Sequence, residues 1–143
     1  MSLYETDFYA WADQQARFLR AGDLSAADIE HIAEEIESMG RSEKRALLSR
    51  LAVLLMHLLK WQVQPNLRGN SWRATIKVQR RDLQRLLADN PSLKAKLPEL
   101  IDTAYEDAIL LAARETGLAE SAFAAACPWS FTEMMDDGFW PET

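Results

Sequence analysis

Arg50 and His57 are seven residues apart, so on a helix they fall about 20° apart on one face. A guanidinium there can stabilise charge on a phosphoryl or tetrahedral oxygen, and an imidazole two turns further on can move a proton. His57 stands in the most apolar window of the chain, between Met56 and Leu58 and one turn before Trp61, where its ring nitrogens need partners. A carboxylate from a neighbouring helix is the expected partner. Glu34 and Glu37 are the candidates, because with Glu30 they align within about 60° on one helical face. His57, Arg50, Glu34 and Glu37 therefore form the candidate catalytic set, suited to hydrolysis.

Three aligned carboxylates repel one another unless arginines, a cation or water compensate them. A carboxylate-bridged metal pair in a bundle needs two Glu-x-x-His motifs and two further glutamates. The chain offers one imperfect copy, Asp28-Ile29-Glu30-His31, so no metal ligand is assigned and no cofactor is expected, with a carboxylate–histidine metal-binding protein kept as a further alternative. Its single cysteine, Cys127, excludes an internal disulfide and a thiolate cluster. Arg-x6-His in a helical chain resembles the active-site motif of the HEPN ribonucleases, which implies RNA cleavage at Arg50 and His57 as an alternative. The pattern is short, and nothing else in the chain is specific to that family.

The basic residues Arg73, Lys77, Arg80, Arg81 and Arg85 fall on one side of a later helix. Only Trp72 lies near them for base stacking, so a nucleic-acid partner is disfavoured. The charge distribution explains the run in another way. Residues 1–37 hold nine acids and two bases, residues 38–85 eleven bases and two acids, and residues 86–143 eleven acids and three bases. The expectation is that these segments neutralise one another in the fold. The overall charge of −6 also speaks against a dedicated nucleic-acid binder.

The elements that must position these residues are helical. Valine occurs only three times, no alternating strand pattern appears, and 143 residues suit one domain with a real core. The period predicts a first helix over about Thr6 to Arg20, with Tyr4, Phe8, Trp11, Gln15, Phe18 and Leu19 on its apolar face. A second, from Ala26 to about Met39, is expected to be capped by Ser25, with Gly40 either breaking it or admitting a close neighbour. The third, Ser42 to Trp61, is apolar nearly all round from Leu51 to Leu59 and should be central. That window is nine residues, too short for a bilayer span, so no membrane is expected.

A fourth helix opens at Asn70 or Ser71, and its apolar face is Trp72, Ile76, Leu83, Leu86 and Leu87. A fifth, Glu99 to Thr116, carries the small residues Ala104, Ala108, Ala112 and Ala113 and ends at Gly117. Ser130 and Glu133 predict a capping box over a short last helix, and Phe139-Trp140-Pro141 should fold back as a clamp. The fold class is thus all-α, a single-domain bundle of about five helices with a short C-terminal helical turn.

Read in order, the segments YETDFYAW (Tyr4–Trp11), AEEIESMGRSEK (Ala33–Lys44), HLLKWQVQP (His57–Pro65), SWRATIKVQR (Ser71–Arg80), PSLKAKL (Pro91–Leu97) and Phe139-Trp140-Pro141 resemble the DUF29 family of small bacterial proteins of unknown function. Val63 stands where a tyrosine-like residue is usual. The resemblance implies an all-helical fold and supplies no activity. It marks Glu34, Glu35, Glu37, Gly40, His57, Lys60, Trp61, Trp72, Arg73 and Arg80 as the residues that characterise the family. Trp61, Trp72, Arg73 and Arg80 are taken from these as candidate ligand-binding residues. The leading expectation for function is a cytoplasmic, non-enzymatic helical module that binds a protein partner or forms a homo-oligomer. Tyr4, Phe8, Trp11, Phe131, Phe139 and Trp140 are the aromatics available for the contact.

Overall fold

The computed structural model describes residues 1–142, is 77% helical and has no strand among those residues, so the chain is all-α. Its helices are α1 (Leu3–Thr6), α2 (Phe8–Arg20), α3 (Ile29–Val63), α4 (Asn70–Asp89), α5 (Leu97–Thr116) and α6 (Phe131–Met135), with 3-10 turns at Pro65–Leu67, Pro91–Lys96 and Glu120–Ala122. The chain divides into two compact units, Met1–Ser42 and the part from Glu43 onward.

The first unit is a helical hairpin. Asp7 splits the single helix expected at the N-terminus into α1 and α2: its backbone leaves the helical region and its side chain caps α2 by accepting from the Ala10 N–H at 3.0 Å. Gly22 takes φ 73 just after α2, a conformation that favours glycine. Ser25 does not cap the next helix. Its hydroxyl is spent on Asp23, and Asp28 is the cap instead, accepting from the His31 N–H at 3.3 Å. Asp28 prevails because a carboxylate three residues before His31 also reaches its ring.

Gly40 neither breaks the helix nor admits a neighbour. Helix α3 runs through it without interruption, so the second and third helices of the sequence reading are one element of 35 residues. A β-carbon built at Gly40 meets nothing within 4 Å. Gly40→Ala should therefore stabilise the protein by about 0.5–1 kcal/mol, through helix propensity alone. Chemical denaturation that shows a lower midpoint for the variant would contradict this.

The second unit is built round the rest of α3. Leu47, Leu51, Leu54, Leu55, Leu58 and Leu59 are all fully buried, each worth roughly 1.5–3 kcal/mol relative to exposure. Against them lie Ile76, Leu83 and Leu87 of α4, Ala104, Ala108 and Ala112 of α5, and Met134 of α6. Ala104, Ala108 and Ala112 are fully buried, as expected of small residues that let helices approach, while Ala113 is half-buried. Among the described residues, α3 alone is long and apolar enough, by length and mean hydropathy, to cross a membrane. The buried leucines identify its apolar window as the core helix of this unit. Gly117 ends α5 at φ 75, and the Ser130–Glu133 capping box opens α6 as the sequence implied.

Candidate functional site

The residues that the sequence singled out are distributed differently from the grouping first inferred. Glu34 and Glu37 are exposed on the first unit, and Glu37 faces Arg41 of its own helix at 3.8 Å. Arg50 reaches across to α4, donating to Asp82 at 3.0 Å and Gln79 at 3.4 Å. His57 takes its partner from its own helix: Nδ1 lies 2.9 Å from the Val53 carbonyl, in place of a carboxylate from a neighbouring helix. Burial pushes its pKa down, the Val53 bond opposes that, and Lys60 lowers it further. His57 is therefore neutral at pH 7, with Nδ1 the protonated nitrogen if it is to donate to that carbonyl.

Trp61, Trp72, Arg73 and Arg80 do come together, along with Lys60, Arg68 and the C-terminal tail. Lys60 is 7% exposed and forms a 2.6 Å ion pair with Glu115 of α5, while its ammonium lies 4.7 Å from the centre of the Trp72 ring. That hydrogen bond holds the Glu115 carboxyl below the usual carboxylate range. Arg68 and Arg73 lie over the Trp61 ring at 5.1 and 5.3 Å, and Trp61 packs on Trp140 at 4.7 Å.

Arg80 corrects its placement most. Grouped by sequence with the basic face of α4, it is 1% exposed. It donates from Nε to the Met134 carbonyl and from Nη2 to the Phe139 carbonyl, both at 2.7 Å, and lies over the Trp140 ring at 5.3 Å. Burial lowers its pKa, and Asp137 and Asp136 oppose that from a distance. Arg80 thus holds the clamp formed by the tail, whose Pro141 is buried. These four residues fasten rings and backbone to one another, which is a structural use of every cation involved.

The sequence reading missed a polar cluster in the hairpin. Asp28 collects three donors: the His31 N–H through Oδ1, and His31 Nδ1 at 2.6 Å and Trp11 Nε1 at 3.3 Å through Oδ2. Its own N–H donates at 2.6 Å to Gln15, a buried side chain of α2. Tyr4 stacks flat on His31, ring centroids 4.0 Å apart, meets Trp11 edge-on, and donates its hydroxyl to Glu35. The bond to Glu35 raises the Tyr4 pKa to about 12. A carboxylate on Nδ1 leaves Nε2 as the nitrogen available for proton transfer, as in an oriented general base. The phenol stacked on the ring is already committed to Glu35. The only sequence signal was the spacing of Asp28 and His31, three residues apart at a helix start.

The hydrogen bond to Asp28 raises the His31 pKa, and the same bond lowers that of Asp28. The His31 contribution to stability is complete below 6.5, its ordinary value, and is lost as pH rises through the folded value. The Asp28 contribution is present above 3.8 and is lost as pH falls through the folded value. The pair therefore fastens the hairpin best between those two values. An NMR titration should find the His31 imidazolium persisting above 6.5, and an unshifted His31 would disprove the pairing.

Among the described residues, no three histidine, cysteine, aspartate or glutamate side chains are grouped to hold a metal ion. Burial pushes the Cys127 thiol pKa up, the reverse of an activated nucleophile.

Fold and clusters together define an all-α protein of two units, fastened by a histidine–aspartate cluster in one and a cation–ring clasp in the other. Residues 3–140 match the family model described as "Domain of unknown function DUF29", and the chain belongs to that family. No curated protein and no solved structure matches it.

Proposed function

We propose that the protein works as a self-associating helical module whose contact surface is the N-terminal hairpin. One observation carries this reading: the hairpin exposes apolar side chains in register. Ile29, Ile36 and Met39 are all exposed on α3, the last two at 60% and 62%. Their spacing of seven and three residues is that of a helix-packing seam. Phe8, Tyr9, Leu19 and Leu24 add to the exposed apolar surface of the same unit, Tyr9 at 85%. Exposed apolar side chains concentrated in one unit support an interaction site there.

The aromatics first considered for the contact are mostly engaged within their own unit. Tyr4 and Trp11 belong to the Asp28–His31 cluster, and Phe139 and Trp140 to the clasp. Phe8 remains half exposed and Tyr9 almost fully so. A second copy is the occupant we favour because the chain carries both an acidic hairpin and an exposed basic helix.

Light scattering at micromolar concentration should give a mass above that of the 16.3 kDa chain. Ile36→Asp with Met39→Asp should return it to the monomer with unchanged helical content, since both side chains are exposed. A wild-type chain that stays monomeric would end this reading.

A further inference from the structure

We infer that the hairpin of one copy docks on the outer face of α4 of a second copy, acidic ridge against basic ridge. This rests on the self-association reading and specifies its second surface. On α3, Glu30, Glu34 and Glu37 form a ridge of exposed carboxylates. Ile29 and Ile36 lie roughly a third of a turn away, also exposed. On α4, Arg73, Lys77, Arg81 and Arg85 follow one another at intervals of four and are exposed. Val78 stands exposed beside them. The acidic ridge, Glu30 to Glu37, rises about 10 Å and fits within the basic ridge, Arg73 to Arg85, which rises about 18 Å.

Beyond Arg73, which meets Asn70 at 3.5 Å and lies over the Trp61 ring at 5.3 Å, the basic ridge is little used within its own unit. Among the described residues Lys77 and Arg81 make no ion pair, and Arg85 only approaches Asp82 at 3.9 Å. The expected neutralisation of the basic middle segment is therefore sparse here; among the described residues Lys60 pairs with Glu115 of the acidic C-terminal segment. Lys77, Val78, Arg81, Gln84 and Asp137 line an open groove of about 560 Å³, two cations to one carboxylate. Such a groove accepts an aliphatic side chain such as Ile36 while its cations meet the carboxylates beside that residue.

Charge decides between this face and the obvious alternative, hairpin on hairpin. Residues 1–42 hold nine acids and three bases, so two hairpins would bring like charge together. Helix α4 holds five bases and two acids. An exposed ion pair contributes little alone, so the apolar seam supplies most of the attraction and the ridges set the choice of partner surface.

The test uses the full chain, with Lys77→Glu/Arg81→Glu and Glu30→Lys/Glu34→Lys as the two reversals. Each alone should weaken self-association at least tenfold in sedimentation equilibrium. An equimolar mixture of the two reversed chains should associate again, because every hairpin then faces an α4 of opposite sign. If the wild type associates and K77E/R81E associates equally well, the α4 surface is wrong and self-association stands. Failure of the mixture to recover also overturns the ridge pairing. A monomeric wild type overturns both readings.

Discussion

Arg80→Met should destabilise the protein by about 3 kcal/mol and free the C-terminal tail. Methionine keeps most of the length and apolar stem of Arg80, so the cavity left behind is small. What is lost is the fork that donates to the Met134 and Phe139 carbonyls and the cation over Trp140. Each orphaned buried acceptor costs about 1–3 kcal/mol. Relief from burying a charge offsets part of that, because among the described residues Arg80 makes no ion pair and its Nη1 is buried without a hydrogen-bond partner. Arg80→Lys should recover little, since an ammonium cannot span two carbonyls with a planar fork. The measurements are denaturant unfolding and amide exchange over the tail. Tail amides that stay as protected as in wild type would show that Trp140 and Pro141 hold it without Arg80.

How far this clasp was legible in the sequence depends on the range of the interaction. Periodicity is local, and it gave the apolar face of α4 at Trp72, Ile76, Leu83 and Leu87, the alanine face of α5, the Ser130–Glu133 box and a folded-back tail. Arg80 was misplaced because residue type assigns an arginine to the wet face. Only tertiary structure supplies two carbonyls 54 and 59 residues away. The same limit hid the hairpin cluster, which needs Tyr4, Trp11 and Gln15 to meet Asp28 and His31 across a turn. Gly40 was over-read for a different reason. A glycine is a weak local break, and the helix-forming residues around it outweigh its cost.

Lys60 and Glu115 should give an ordering of stabilities that separates attraction from burial. Glu115→Ala leaves the ammonium of Lys60 buried at 7% exposure beside the Trp72 face, without its carboxylate partner. Breaking a fully buried pair in this way costs about 3–5 kcal/mol. The Glu115 side chain is 39% exposed, so water screens part of that, and about 1–2 kcal/mol is the expected loss. Lys60→Met should cost less, because methionine fills the apolar site and the stranded carboxylate can turn to solvent. The double variant Lys60→Met/Glu115→Ala should then be more stable than Glu115→Ala alone. The wild-type pair should also weaken on acidification, since a carboxyl pKa held low stabilises the fold above its ordinary 4.5 and ceases to do so as pH falls through the folded value. Urea midpoints for the four chains at neutral pH decide the ordering. If the double variant is the least stable, the pair contributes more than its desolvation costs, and Lys60 is held by attraction to Glu115 rather than tolerated in an otherwise apolar wall.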